Sequence, residues 1–372
     1  MGTIMDYIRE YGQYSFYEKT FNEVDSLVLS QLVYLKYGHC VAGLSRYSKS
    51  ISLEEIDSRG DRGWLFIEDF FKEDNIALWE ACLGSVRFQK TRLNYYVDIV
   101  NFEHEMQFCA VTFLLEDHSV YLAFRGTDET IVGWKEDFNL AFSDIVHSQK
   151  LCVEYVERVA GFIASGFYVG GHSKGGNLAV YAGMYCDDSI TWRFREIYNH
   201  DGPGFRPEVR TKERYQKIAA ITHKYIPRSS IIGIILESHA EYDVVESGGF
   251  GVMQHNPFSW TIEEEHFKRT KEGFTKRFMD KALNEWIYKL TEDEIHSFVD
   301  TLYNVLTASG AADFIEFRAH KKQSRQLVKE AIREIDAETR KVIWKVIGTL
   351  FEVAGEAMWS ELTEGKKEDG NK

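Results

Sequence analysis

The stretch Phe167–Ala182, FYVGGHSKGGNLAVYA, constrains this chain more than any other part of it. A short apolar run over residues 166–169 leads into Gly170-Gly171-His172-Ser173-Lys174-Gly175-Gly176, and a helical pattern follows over Asn177–Tyr185. The spacing Gly-x-Ser-x-Gly between a strand and a helix predicts a sharp turn with Ser173 at its apex. Glycines at 171 and 175 let strand and helix approach where a Cβ would collide. Ser173 Oγ then projects above the carboxyl edge of a sheet. The helix that starts near Lys174 aims its first N–H groups and its dipole at the same space, where negative charge is favoured. The Lys174 N–H is one candidate donor to an oxyanion. Two competing readings are an incidental exposed serine and a phosphate-binding loop. For the second, neither GxxxxGK followed by Ser or Thr nor GxGxxG is present.

The rest of the chain supplies a setting for that turn. Residues 1–90 read as helix and loop, with a helix over Asp25–Tyr37 that Asp25 caps, and further helical pieces at Trp64–Phe71 and Asn75–Leu83. Cys109–Leu115 and Ser119–Phe124 flank a Glu116-Asp117-His118 turn and read as paired strands. A helix is expected over Gln149–Ala164. More strands are expected at Glu196–Asn199, Ile218–Ile226 and Tyr242–Val245. Alternation of this kind predicts a mostly parallel sheet covered by helices on both faces. From Trp260 onward no strand pattern is visible. Val328, Ile332, Ile335, Val342, Ile343, Val346 and Leu350 fall at helical spacing. The expected division is therefore residues 1–259, an α/β domain with N-terminal helices, and residues 260–372, an all-helical extension.

Charge narrows the partners. The 44 basic and 58 acidic residues leave a net of 44 − 58 = −14, which argues against nucleic acid or an anionic membrane, since both need a basic face. The five cysteines, at 40, 82, 109, 152 and 186, are odd in number and widely spaced. That pattern fits reduced thiols in a cytoplasmic protein rather than a disulfide framework or zinc site. No signal peptide is read at the N-terminus. The longest aliphatic run, residues 231–236, is far short of a transmembrane span.

A second signature is Val120–Asp137, VYLAFRGTDETIVGWKED, in which a strand ends at Phe124-Arg125-Gly126-Thr127. Together with GHSKGG it resembles the class 3 lipase family of α/β hydrolases. The chain is more closely similar to an uncharacterised bacterial, lipase-like branch of that superfamily, through DSLVLSQLVYL, AFRGTD, GHSKGGNLAVYA, IYNHDGPGF, SSIIG and QHNPFSW over roughly residues 20–262. The resemblance implies an α/β-hydrolase fold, and Thr127 or Asp128 as source of the second oxyanion N–H. It also implies a lid over residues 128–137, and a structural role for Arg125 paired with a carboxylate.

A serine nucleophile needs a base, and the base an orienting acid. In α/β hydrolases the chain order is Ser, acid, His. His255, in a loop after the last expected strand, holds the position this order demands, with His239 second. In class 3 lipases the acid lies in a D-x-V-P motif, and the matching residue here is Lys224, a cation. Asp201, in Asn199-His200-Asp201-Gly202-Pro203-Gly204-Phe205, resembles the acid of pancreatic-type lipases. Asp243 and a dyad without an acid are the alternatives. Asp201 is also good turn chemistry in its own right, and His172 reads as packing under the turn.

The expected function is thus a serine hydrolase of lipase or esterase type, using Ser173, His255 and Asp201 on a small-molecule or lipid acyl ester, with no metal or cofactor. The alternative is a non-catalytic binding or scaffold protein on the same fold. The helical extension could pack in cis, bind a partner, or form a homodimer.

Overall fold

The computed structural model describes residues 2–60, 62–67, 71–101, 106–127, 136, 146–228, 230, 232–233, 236, 242–248, 251–271 and 337, without the side chains of 251 and 252. Eight strands form one sheet in chain order: β1 (Ile51–Ser52), β2 (Arg92–Asn101), β3 (Met106–Leu114), β4 (Val120–Phe124), β5 (Phe167–His172), β6 (Phe194–His200), β7 (Thr222–Pro227) and β8 (Asp243–Val245). The first four strands pair antiparallel, and β4 to β8 pair parallel. Parallel neighbours need long crossovers. His147–Ala160 lies between β4 and β5, Lys174–Tyr185 between β5 and β6, and Glu213–Ala219 between β6 and β7.

Burial on both faces explains the apolar strands of the centre. All five residues of β4 are buried. Its alternate side chains enter two different cores, because successive residues of a strand point to opposite faces. Tyr121 and Ala123 join the N-terminal helices, including Glu23–Leu32, on one face. Val120, Leu122 and Phe124 join the helices His147–Ala160 and Lys174–Tyr185 on the other.

Several elements differ from the sequence reading. The helix expected over Asp25–Tyr37 is Glu23–Leu32, and its cap is Asn22, not Asp25. Asn22 Oδ1 accepts the Val24 and Asp25 N–H groups, and Asp25 reaches back to the Asn22 N–H, the reciprocal capping-box pattern. The 64–71 piece is shorter and earlier, Arg62–Leu65. Strand β2 was not expected at all. It has an irregularity between Asn94 and Val97, where Tyr95 takes φ 57°, and that breaks its period-two pattern. The segment expected as strand from Ile218 begins as helix, because Ile218 ends a helical face that packs on Lys174–Tyr185.

Trp260 does not open an all-helical segment. Residues 262–263 (β9) and 266–267 (β10) form a small antiparallel hairpin. Trp260, Ile262 and Phe267 are buried in the first core, and Arg269 binds Glu23 at 2.7 and 2.9 Å. These residues are therefore continuous with the α/β unit. Residues 272–336 and 338–372, which carry the rest of the expected extension, lie outside the described residues.

Candidate active site

The turn at Ser173 is built by close backbone approach. A Cβ on Gly175 would sit 2.1 Å from Phe124 O, and one on Gly171 would sit 2.4 Å from the Gly175 carbonyl carbon. Only glycine fits there, so the end of β5, the start of the following helix and the end of β4 share one small volume. Ser173 itself takes φ 57° and ψ −131°, a conformation that L residues rarely hold. Its N–H donates to His200 O at 2.9 Å, and its carbonyl accepts the Gly176 N–H at 2.9 Å. These bonds lock the serine at the carboxyl end of the sheet.

Asp201 follows β6 directly and is also strained, with φ 54°. Its N–H donates to Tyr225 O at 2.8 Å. The side chain is fully buried. Its Oδ2 lies 2.6 Å from His255 Nδ1 and accepts the Ser230 hydroxyl, also at 2.6 Å. Oδ1 has no hydrogen-bond partner among the described residues. A Cβ on Gly233 would sit 2.2 Å from Oδ1, so that position too requires glycine.

His255 ends a short 3₁₀ turn, Gly251–His255. Its backbone is held by His172, whose Nε2 lies 2.8 Å from the His255 carbonyl oxygen. A carbonyl can only accept, so His172 Nε2 carries the proton. The Tyr34 hydroxyl approaches the other nitrogen, Nδ1, at 3.4 Å. The rings of His172 and His255 lie 4.4 Å apart, centre to centre. Burial, followed by the neighbouring His255, holds His172 well below the ordinary histidine range, so it is neutral. His200, in register with His172 on the adjacent strand and also buried, is pulled down to about 3, again chiefly by burial.

The Arg125-Gly126-Thr127 segment runs beside the serine: a Cβ on Gly126 would lie 2.8 Å from His172 O and 3.0 Å from Ser173 Cβ. Arg125 pairs with Asp98 through two contacts of 2.9 and 3.3 Å, the carboxylate partner its sequence context implied. Asp128 and the lid expected over 128–137 fall outside the described residues, except Glu136. The Lys174 ammonium is not directed at the site. It is buried and bonds Glu136 Oε2 at 2.8 Å and Gln107 O at 2.9 Å. Glu136 also accepts the Gln107 N–H at 2.9 Å.

The structure thus brings Ser173, Asp201, His255 and Thr127 to one end of the sheet. It does not bring Asp243 there. Asp243 is half-exposed and pairs with Arg269 at 2.8 Å. Lys224 is buried on β7, in register with Asn199. His239 lies outside the described residues. Sequence reasoning did not assign the His172–His255 contact, the Ser230 hydroxyl or the Lys174–Glu136 pair. Only Ser230 carried a signal, as part of SSIIG. Among the described residues no cluster of three or more His, Cys, Asp or Glu is arranged to hold a metal, and no helix is long and apolar enough to cross a membrane.

A family model described as Mbeg1-like matches residues 82–304, more than half of the chain. Among solved structures, one titled "Rhizomucor miehei lipase propeptide complex, native" aligns with 11% identity, over 56% of this chain and 81% of that one, at a TM-score of 0.35. A superposition that loose fixes neither fold nor function. No curated protein matches the sequence.

Proposed function

The chain belongs to the Mbeg1-like family, and we propose that it is a serine hydrolase of α/β-hydrolase type that cleaves an acyl ester. The observation that carries this reading is the 2.6 Å bond between Asp201 Oδ2 and His255 Nδ1, beside a serine in a strained strand-to-helix turn. With Nδ1 bound to the acid, Nε2 is the nitrogen that takes the proton.

In the proposed reaction His255 Nε2 takes the Ser173 hydroxyl proton as Oγ bonds to the acyl carbon. The carbonyl π electrons move to oxygen, where the N–H groups of Lys174 and of Thr127 or Asp128 receive the charge. The intermediate collapses, the alcohol leaves with the proton from His255, and an acyl-serine remains. Water then gives a proton to His255 and attacks the acyl carbon. The acid leaves, and Ser173 recovers its proton.

A fluorophosphonate probe tests this directly. Wild-type protein should be labelled at Ser173, and the Ser173→Ala and His255→Ala variants should not. A folded wild type that resists the probe would move the assignment to a binding protein.

A further inference from the structure

A cavity of about 410 Å³ lies where Asp98, the partner of Arg125, reaches the surface. Its wall includes Lys36, His39, Trp64, Ile67, Tyr96 and Asp98. Two backbone segments tie it to the site. Tyr34 reaches His172 and Gly126, and Lys36 follows two residues later, at most about 7 Å of backbone away. Asp98 holds Arg125, whose next residue is Gly126.

The cavity couples an apolar mouth to a loosely paired lysine and carboxylate. Trp64 and Ile67 are large, yet 53% and 40% exposed, and the His39 ring lies tilted against Trp64, 4.7 Å between centres. Among the described residues, Asp98 faces Lys36 inside the cavity and the buried Arg125 behind its wall. Its oxygens take the Arg125 contacts at 2.9 and 3.3 Å and the Tyr96 hydroxyl at 3.0 Å. Lys36 Nζ is the loosest partner, at 3.5 Å. The three groups Lys36, Arg125 and Asp98 sum to +1, on a chain whose total is −14. An ammonium has three donors, and Asp98 engages Lys36 weakly, so a second anion can bind it.

We propose that this cavity takes an anionic substituent, phosphate or carboxylate, carried by the ester that Ser173 attacks, with the adjoining alkyl part against Trp64 and Ile67. The proposal rests on the serine-hydrolase reading for the identity of the ligand as substrate, but its binding chemistry can be measured without turnover.

The test uses the full-length Ser173→Ala protein and calorimetric titration with hexyl phosphate, hexanoate, hexanol and inorganic phosphate. One or both anionic amphiphiles should bind about tenfold tighter than hexanol, as a charge-assisted hydrogen bond allows, and which of the two does so identifies the anion. Lys36→Gln should abolish the preference, Lys36→Arg should retain it, and Trp64→Ala should weaken all hexyl probes together. In wild type, an acylglycerol phosphate or a carboxylated ester should then show a higher kcat/KM than its neutral counterpart of equal acyl length. Equal affinities for hexanol and both anions, or a preference that survives Lys36→Gln, would overturn the subsite. If fluorophosphonate labels Ser173 in that case, the hydrolase reading still stands. Selective anion binding by a protein that resists the probe would support the subsite and reject hydrolysis.

Discussion

Asp201 and His255, 54 residues apart in the chain, meet through a 2.6 Å contact between Oδ2 and Nδ1. The acid is fully buried and the imidazole partly open. That asymmetry suits a proton carrier, because the buried group fixes the orientation while the open one can reach a substrate. Asp201→Asn should keep the fold and lower kcat on a p-nitrophenyl ester on the order of 10⁴-fold, since the amide selects the wrong tautomer of the histidine. Steady-state kinetics beside a circular dichroism spectrum would check it, and wild-type-like turnover would remove Asp201 from the mechanism.

His172 contacts the backbone carbonyl and the ring of His255. It donates to the His255 carbonyl at 2.8 Å, and the two rings lie 4.4 Å apart at a tilt of 37°. His172→Phe keeps the ring but orphans the carbonyl, a loss of roughly 1–3 kcal/mol in local order. The expected result is a kcat lower by about tenfold to a hundredfold with KM little changed, and partial rescue by His172→Gln. A purely structural role would instead lower the melting temperature and leave kcat per folded molecule intact.

Acid should destabilise the protein through its buried histidines. His200 titrates at about 3 when folded, against 6.5 unfolded, so the unfolded chain binds the proton first as pH falls. Stability is therefore full above about pH 6.5 and declines toward pH 3, by up to about 1.4 kcal/mol per pH unit for one such group. His172 adds in the same direction. Melting temperatures measured across pH 4 to 7 should fall, and His200→Gln should flatten the slope.

Gly175→Ala should be among the most damaging single-methyl changes in the chain. The new Cβ would meet a backbone oxygen at 2.1 Å, and neither β4 nor the helix can retreat without breaking the sheet. A loss of about 3 kcal/mol or more is expected in urea unfolding.

Removing the Lys174 ammonium leaves the Glu136 carboxylate buried without its cation. Lys174→Met should cost about 3–5 kcal/mol, while the double variant with Glu136→Leu should recover much of it. Denaturation of the two variants side by side would check the coupling. Activity should follow stability, because the catalytic contribution assigned to Lys174 is its backbone N–H.

The turn at Ser173 was legible because its requirement is local: the glycines, the strand before and the helix after lie within sixteen residues. Strands β4 and β5 were legible for a similar reason, as short runs of apolar residues and glycine buried on both faces. Strand β2 was not, since its bulge at Tyr95 disrupts the alternation by which a half-exposed strand is read. The hairpin after Trp260 was hidden too. Its strands are two residues each, and the Glu263-Glu264-Glu265 run between its apolar positions imitates a solvated helix.

Residue types and short-range spacing by themselves determined where the strand-to-helix turn with Ser173 at its apex lies and which strand and helix flank it. They also supplied His255 and Asp201 as candidates, but not the partnership of Asp201 rather than Asp243 with that histidine. Only the tertiary structure sets Asp201 against His255 and Asp243 against Arg269. It alone places His172 on the His255 carbonyl and gathers Lys36, Trp64 and Asp98 around one cavity. The physical reason is range. Turn geometry and helix or strand periodicity act over a few neighbouring residues. Hydrogen bonds, ion pairs and burial act over a few ångströms of space, between groups that chain order leaves far apart.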